Sequence, residues 1–345
     1  MRVLMIGPDR KVHGGVSAVV NNYFQVGLDR NVDLKYLGTM VDGSKARKLI
    51  QAVWAYIRFL IFIPFFTILH VNMASDASYF RKKIFIDTAF FFRKKIIIHE
   101  HGGDFRDFYY LRLNEKQKNK LKKTLNKADK FIVLSEQWYD FFSCIVEEKK
   151  LIIMENGIPL PEPIKKDYHD HNLLFLGRIC KEKGIEELIK AVEHIREKIA
   201  DVHLYLGGTF EDGDLKKLIT EKKEYITWLG WIGTDGKKEM FKKCSVFVLP
   251  SYFEGQPISL MEAMAEGLSV IASEVGGIPQ IIENRKQGIL IQPKNERQLE
   301  DALVELLESR ELRKDMGKAA AERIRLYYDI RKNKEMLLIL YRELD

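Results

Sequence analysis

Short apolar runs alternate with longer amphipathic stretches along almost the whole chain of 345 residues. That alternation narrows the fold more than any other feature, because parallel strands need a crossover between them and the crossover is usually a helix. The candidate strands of the first half are Val3–Ile6, Leu34–Leu37, Ile68–Asn72, Ile96–Glu100, Phe131–Leu134 and Leu151–Met154. Those of the second half are Leu173–Leu176, Val202–Leu206, Ile226–Leu229, Val246–Leu249, Val270–Ser273 and Ile289–Ile291. Between them apolar residues recur at helical spacing, as in Val16, Val19, Val20, Tyr23 and Phe24, or Ile185, Leu188, Ile189, Val192 and Ile195. The expected class is α/β, with two strand–helix sets of similar size. They join near Asn156–Asn172, where Pro159, Pro161 and Pro163 stiffen a charged linker. The last helix, about Ile330–Leu344, carries its own apolar face.

Composition removes several classes. With 46% hydrophobic and 30% charged residues, the chain is neither disordered nor collagen-like. Cys144, Cys180 and Cys244 are isolated and odd in number, which argues against a disulfide framework or a cysteine zinc cluster and for a reducing compartment. The net charge of +7 predicts anionic partners. No groove-reading module is visible, so nucleic acid is not expected among them. The opening MRVLMIGPDR turns polar too soon for a signal peptide, and a cytoplasmic location is expected. The apolar region Leu49–Leu69 is interrupted by Arg58 and Pro64, falls short of about 18 uninterrupted apolar residues, and is read as a helix followed by a strand. Basic clusters at Arg81–Lys83, Arg93–Lys95 and from Lys116 to Lys123 are mostly a solvated helix face. Together with the aromatics of Phe59–Phe66 and Phe90–Phe92 they would also suit peripheral contact with an anionic membrane, on the inner face of the plasma membrane.

Several motifs could carry chemistry. Pro250-Ser-Tyr-Phe-Glu-Gly-Gln-Pro-Ile-Ser-Leu-Met-Glu262 follows the apolar run VFVL, where a ligand loop at a strand's carboxyl end belongs. Gly255 permits close backbone approach, and Pro257 suits a first helical turn. The N–H groups around Pro257–Leu260 would then face the mouth of the sheet and attract phosphate. Glu254 and Glu262 flank that turn, and ionised carboxylates accept hydrogen bonds from hydroxyl groups. From spacing alone, a capped helix with a solvated glutamate explains the stretch as well. Arg178 and Lys183 follow the run LLFL and would straddle a diphosphate, one as a fork and one as a point charge; solvated surface cations are the plainer account. Gly14-Gly15 after the first strand is a glycine pair that would let amides meet a phosphate, or a tight turn. His99-Glu-His101-Gly-Gly-Asp104 ends a strand. Metal binding there lacks a third ligand, and His101 is the better candidate as a hydrogen-bond donor to substrate or as a structural histidine. Asp212-Gly-Asp214 resembles a metal-binding pair but is read as the start of a helix, with Asp214 as its N-cap. No metal site is expected.

In this order the motifs resemble the retaining glycosyltransferases of family 4, along nearly the whole chain. The most specific stretch is Glu254 to Pro279, which looks like the family's E-x7-E element and downstream G-G-x-P; Gly177–Gly184, Glu155–Ile158 and His101–Asp104 agree in position. The His-Gly-Gly-Asp loop is similar to that of relatives that build bacterial surface polysaccharides. The resemblance implies a GT-B fold of two Rossmann-like parallel-sheet domains facing across a cleft. It places an acceptor-binding domain at residues 1–160, a donor-binding domain at 161–327, and a C-terminal helix at 328–345 that crosses back to the first domain. It further implies that Arg178 and Lys183 neutralise the donor's diphosphate and that amides from Gln256 through Pro257 and Ile258 to Ser259 cradle it. Glu262 would hold the ribose, Glu254 the donor sugar's hydroxyls, and Ile232 the base; Gly15 would approach the diphosphate, and His101 the sugar's reacting end. Gln256-Pro257 stands where the family often has Phe-Gly.

The implied activity is metal-independent retaining transfer of a hexose-type sugar from a nucleotide diphosphate sugar, UDP before GDP. The acceptor would be a lipid-linked saccharide, in polysaccharide or glycolipid synthesis, with no cofactor. A sugar-nucleotide 2-epimerase of the same fold and a non-catalytic two-lobed binding protein are the alternatives. Epimerase relatives lack the E-x7-E arrangement, and the phosphate-directed cations argue against a simple binder.

Overall fold

The computed structural model describes residues 1–162, 164–211 and 213–345. Pro163 of the linker and Asp212 of the Asp-Gly-Asp triplet therefore lie outside the described residues. The chain divides into two compact units: Met1–Pro159 together with Ile330–Asp345, and Leu160–Asp329.

The first unit is a sheet of β1 (Arg2–Gly7), β2 (Asp33–Gly38), β3 (Ile68–Met73), β4 (Lys95–Glu100), β5 (Lys130–Val133) and β6 (Leu151–Ile153), in the order β2-β1-β3-β4-β5-β6. Every pairing is parallel. The second unit repeats the plan with β7 (Asn172–Leu176), β8 (His203–Gly207), β9 (Ile226–Gly230), β10 (Val246–Leu249), β11 (Ser269–Ser273) and β12 (Gly288–Ile291), in the order β12-β11-β10-β7-β8-β9. It too is parallel throughout. Parallel strands are covered on both faces, so central strands are apolar without alternation. All residues of β3, β10 and β11 are buried. This doubly wound α/β architecture, two six-stranded parallel sheets, is the one the sequence pattern implies.

The helix Ile330–Leu344 belongs to the first unit. Ile330 N donates to the Ile158 carbonyl, and Asn333 Nδ2 donates to that of Glu155. The Tyr341 hydroxyl meets His70 Nδ1 at 2.6 Å in the core. Asp214 lies in the first turn of the helix Gly213–Glu221 rather than at its N-cap.

The region Leu49–Leu69 is a helix followed by a strand, as its sequence implies: the helix Lys45–Phe62 runs through Arg58, continues as the turn Ile63–Phe65 and leads into β3. Ala55 and Phe59 are its buried residues. Phe59 packs edge-on against Phe85 at 5.0 Å and lies beside Phe66 at 5.8 Å. Tyr56 reaches Thr88 through a 2.9 Å hydroxyl contact. These contacts hold the helix flat against the unit. Phe59→Ala should therefore destabilise the first unit by about 3–5 kcal/mol, the usual range for emptying an aromatic core site; denaturant unfolding checks this. An unchanged midpoint would mean the helix is not anchored there.

Candidate functional site

In the second unit β7 is the first strand in sequence, yet it lies inside the sheet, with β8 on one side and β10 on the other. The chain leaves these two neighbours in opposite directions, and such a reversal opens a crevice at the carboxyl ends of the strands. The two segments singled out from sequence emerge at this point. Arg178 and Lys183 follow β7; residues 250–262 follow β10.

Backbone packing fixes both segments. Gly184, at φ +68, caps the helix Ile185–Ile195, and a Cβ there would lie 2.1 Å from the Pro250 carbonyl oxygen. The loop after β7 therefore touches the end of β10. The 254–256 loop is held from its other side. Gly276, at φ +55, would place a Cβ 1.8 Å from the Glu254 carbonyl oxygen. Gly277 N donates to the Gly255 carbonyl at 2.7 Å. This glycine pair thus seats the loop that bears Glu254, Gly255 and Gln256.

Pro257 is the N-cap of the helix Ile258–Ala265. The N–H groups of Ile258, Ser259 and Leu260 have no acceptor within that helix, and the first bond back runs from Met261 N to the Pro257 carbonyl at 3.3 Å. Ile258 and Gln256 are buried, and Ser259 is half-buried. Ile232 lies in the loop between β9 and the next helix, within contact range of a Cβ placed on Gly207, the last residue of β8.

Each charged candidate has a partner. Arg178 Nη1 donates to Glu211 Oε2 at 2.8 Å, with both side chains about half exposed. Lys183 pairs with Glu254, and both are largely buried; Glu254 Oε1 also accepts from Ser251 Oγ at 2.7 Å. Glu262 Oε2 accepts from Lys237 Nζ at 2.6 Å. Glu211, Ser251 and Lys237 escaped the sequence reading. Ser251 shares a loop with Glu254 and could have been noticed, but Lys237 sits in the charged helix Thr234–Lys243 and looks like any solvated lysine. Glu254 and Glu262 thus bracket the helix start, each with a cation beside it. The arrangement suits a ligand that brings a doubly charged diphosphate and hydroxyl groups to the same place.

Gly15 and His101 belong to the first unit. Gly14 caps the helix Gly15–Gln25, and a Cβ on either glycine would meet nothing within 4 Å. No packing demand explains this pair. His101 stacks on His99 at 4.1 Å, and His99 on His70 at 5.7 Å. Asn72 Nδ2 donates to the Ile6 carbonyl, which leaves its Oδ1 to accept from His101 Nε2 at 3.0 Å. The donor expected to serve a substrate is therefore already engaged, and any such role requires that bond to open. His101 Nδ1 and both nitrogens of His99 are buried without partners.

Burial holds the His70 and His101 rings down to about 3 and His99 well below the usual value. Unfolding would return them to about 6.5. Their folded values are depressed, so the unfolded chain binds more protons across that interval. Stability is full above about pH 6.5 and falls as the pH drops through that window. Buried Glu100, pushed well above the carboxylate range by burial, works in the opposite sense but is one group against three. Ring NMR checks this: His70, His99 and His101 should stay neutral from about pH 8 down to about pH 5. His194, raised through its hydrogen bond to Glu300, should protonate above the ordinary histidine value. Titration of the three near the ordinary value would refute the burial account.

Residues 160–323 match the family described as Glycosyl transferases group 1. Alpha-D-kanosaminyltransferase of Streptomyces kanamyceticus is 30% identical over 178 residues, covering 50% of this chain and 45% of the relative. The N,N'-diacetylbacillosaminyl-diphospho-undecaprenol alpha-1,3-N-acetylgalactosaminyltransferase of Campylobacter jejuni is 29% identical over 212 residues, covering 56% of this chain and 55% of the relative. The chain thus spans about half the length of these curated relatives. Over its full length it follows solved structures. Sucrose-phosphate synthase from Thermosynechococcus elongatus superposes with a TM-score of 0.81 at 20% identity, covering 100% of this chain and 99% of the other. HepE of Anabaena in complex with UDP-glucose gives 0.78 at 14% identity, covering 99% and 100%. The second unit is thus similar to the group 1 glycosyl transferases, and the architecture is the GT-B fold.

Proposed function

We propose that the chain is a retaining glycosyltransferase of family 4 that moves a hexose-type sugar from UDP to a saccharide acceptor in polysaccharide or glycolipid synthesis. The observation that carries this reading is the convergence of Arg178, Lys183, Glu254, Glu262 and the start of the helix Ile258–Ala265 at the reversal between β7 and β10. The choice of UDP is supported by HepE, solved with UDP and with UDP-glucose. A lipid-linked acceptor is supported by the Campylobacter relative, an N,N'-diacetylbacillosaminyl-diphospho-undecaprenol N-acetylgalactosaminyltransferase.

The difficult part of such a transfer is charge. As the bond between the anomeric carbon and the phosphate oxygen breaks, the sugar becomes oxocarbenium-like and the diphosphate gains negative charge. Donors fixed beforehand lower that barrier most. The free amides at Ile258, Ser259 and Leu260 supply one set. Arg178 supplies a second. Its pair with Glu211 is half-exposed, and pairs of that kind are worth about 0–1 kcal/mol, so a diphosphate can take over the guanidinium at little cost. Lys183 need not leave Glu254, since an ammonium has three donors; one N–H can turn to phosphate while Glu254 stays oriented toward the sugar hydroxyls. Glu262 would take the ribose hydroxyls, and the backbone at Ile232 the base. These cations supply what a metal supplies in other transferases, so no divalent ion is needed.

Retention follows from same-face attack. The acceptor oxygen bonds to the anomeric carbon, the carbon–oxygen bond to the diphosphate breaks, and the acceptor's proton passes to a phosphate oxygen.

Thermal-shift titration tests the donor site, because a ligand that binds only the native state raises its melting temperature. UDP should stabilise the protein with a chelator present. Arg178→Ala and Glu262→Ala should each weaken that binding about 10–100-fold, the span expected for losing a charge-assisted hydrogen bond. Unaltered affinity in both variants would remove the site, and a strict divalent-ion requirement would remove the metal-free mechanism.

A further inference from the structure

The helix Lys45–Phe62 with its following turn, Lys45–Phe65, is 21 residues long, with a mean hydropathy of 1.4, and only 17% of its most apolar window is buried. By length and composition alone it is able to cross a membrane. Its side chains are distributed otherwise. Leu49, Ile50, Val53, Trp54, Ile57 and Ile61 are all exposed, Trp54 at 60%. At 3.6 residues per turn these six fall within an arc of about 140°. The buried residues Ala55 and Phe59 lie on the opposite side. A spanning helix would be apolar all round, whereas one that lies in an interface is apolar on one side and held on the other.

The apolar surface continues onto the neighbouring helix Asp76–Phe91. Phe80, Ile84 and Phe91 are exposed and share one face by their spacing, with Phe91 exposed at 78%. Tyr56 joins the two helices, edge-on to Phe85 at 5.5 Å. The expectation that Phe59 and Phe66 contribute is corrected, since both are buried in the core; Lys82, counted in a solvated basic cluster, is also fully buried. Charge identifies the occupant. Lys45–Phe62 carries Lys45, Arg47, Lys48 and Arg58 and no acidic residue. On the same helical projection, Lys45 borders one edge of the exposed arc, and Arg47 and Arg58 the other. Two copies of this face set against each other would oppose like charges, whereas an anionic bilayer would not.

We propose that the first unit lies on an anionic lipid bilayer, with the outer faces of Lys45–Phe62 and Asp76–Phe91 sunk to the acyl boundary and the flanking cations among the headgroups. A cavity of about 620 Å³ opens at the rim of this surface, lined by Asp9, Arg10, Tyr36, Gln51, Trp54 and Arg58. Trp54 and Arg58 belong to both the face and the cavity. If the proposed transfer reading holds, the polar head of a lipid-borne acceptor enters there at headgroup depth, while its chains stay in the bilayer.

The test is co-sedimentation of the full chain with vesicles of phosphatidylglycerol and phosphatidylcholine, with UDP thermal shift as a separate readout. The wild type should bind these vesicles but not pure phosphatidylcholine. Binding should weaken near 1 M salt, where the Debye length is about 3 Å, and an alkaline carbonate wash should release the protein. Ile50→Glu/Ile57→Glu should lower binding about tenfold or more, as two charges enter the apolar layer. Lys45→Glu/Arg47→Glu, which leaves the apolar positions intact, should lower it similarly at about 1 kcal/mol per charge. Both variants should keep the UDP shift. Retention through the carbonate wash would overturn the proposal in favour of a span, and vesicle binding unchanged by both variants would overturn it outright. A concentration-dependent dimer that Ile57→Glu dissociates, without vesicle binding, would assign the face to a second copy. Loss of the UDP shift in the wild type, with vesicle binding intact, would count against the donor reading alone.

Discussion

The contact between two loops at the reversal of the second sheet governs the rest of the candidate site. Strands β7 and β10 are neighbours whose continuations part company, so the backbone that follows each is free of the sheet but close to the other. Gly184 sits against the Pro250 carbonyl with no room for a side chain. That approach sets the distance between the loop carrying Arg178 and Lys183 and the loop carrying Glu254. On the far side, Gly276 and Gly277 close on residues 254–256 in the same way. A loop clamped between two glycine contacts presents its amides and carboxylates in a fixed pattern. Fixed dipoles are what an anionic leaving group needs, because they need no reorganisation when charge develops.

Electrostatics at this place is arranged in pairs. Arg178 with Glu211, Lys183 with Glu254 and Lys237 with Glu262 each bring opposite charges together. A cluster of cations alone would repel itself, and partnering each with a carboxylate keeps the crevice nearly neutral. The pairs are not equivalent. Arg178 and Glu211 stand half in water, where the attraction is weak and screened. Lys183 and Glu254 are largely withdrawn from solvent, so separating them would leave a buried charge uncompensated. The exposed pair is therefore the one that can exchange partners, and the buried pair is the one that holds geometry.

Much of this was legible in the sequence because of how parallel sheets are built. A strand covered on both faces must be apolar along its length, so central strands such as β3, β10 and β11 announced themselves as apolar runs. The helix Ile330–Leu344 was visible through its periodicity, and Pro250–Glu262 through its glycine, proline and spaced glutamates. Side-chain partners were not legible. Nothing local distinguishes Lys237, which reaches Glu262, from the other lysines of its helix, because the contact joins elements distant in sequence. Direction of burial was also hidden. The run around Phe59 offers apolar residues to both the core and the outside, and only the packing of Phe59 against Phe66 and Phe85 tells which side faces the core. Lys82 shows the converse, a charged type held in the core with Ser78 Oγ as its acceptor at 2.9 Å, its pKa driven well down by burial. Sequence statistics place lysine outside, and tertiary structure overrides them here.

The way the chain returns to the first unit bears on how that unit forms. Met1–Pro159 contains all six strands of its sheet, yet the core is completed only by Ile330–Leu344. The Tyr341 hydroxyl satisfies His70 Nδ1 inside the core, Asn333 covers the Glu155 carbonyl, and Ile330 N bonds the Ile158 carbonyl at the crossing. Without that helix these polar groups would be stranded at a surface built for burial, beside the apolar positions that meet Leu337 and Leu338. An unmet buried donor or acceptor costs about 1–3 kcal/mol. The second unit is continuous and closes its own sheet, whereas the first is interrupted by it and is completed only when residues 330–344 are in place. A contact between such distant segments carries a large loop-closure cost unless the intervening chain has already folded.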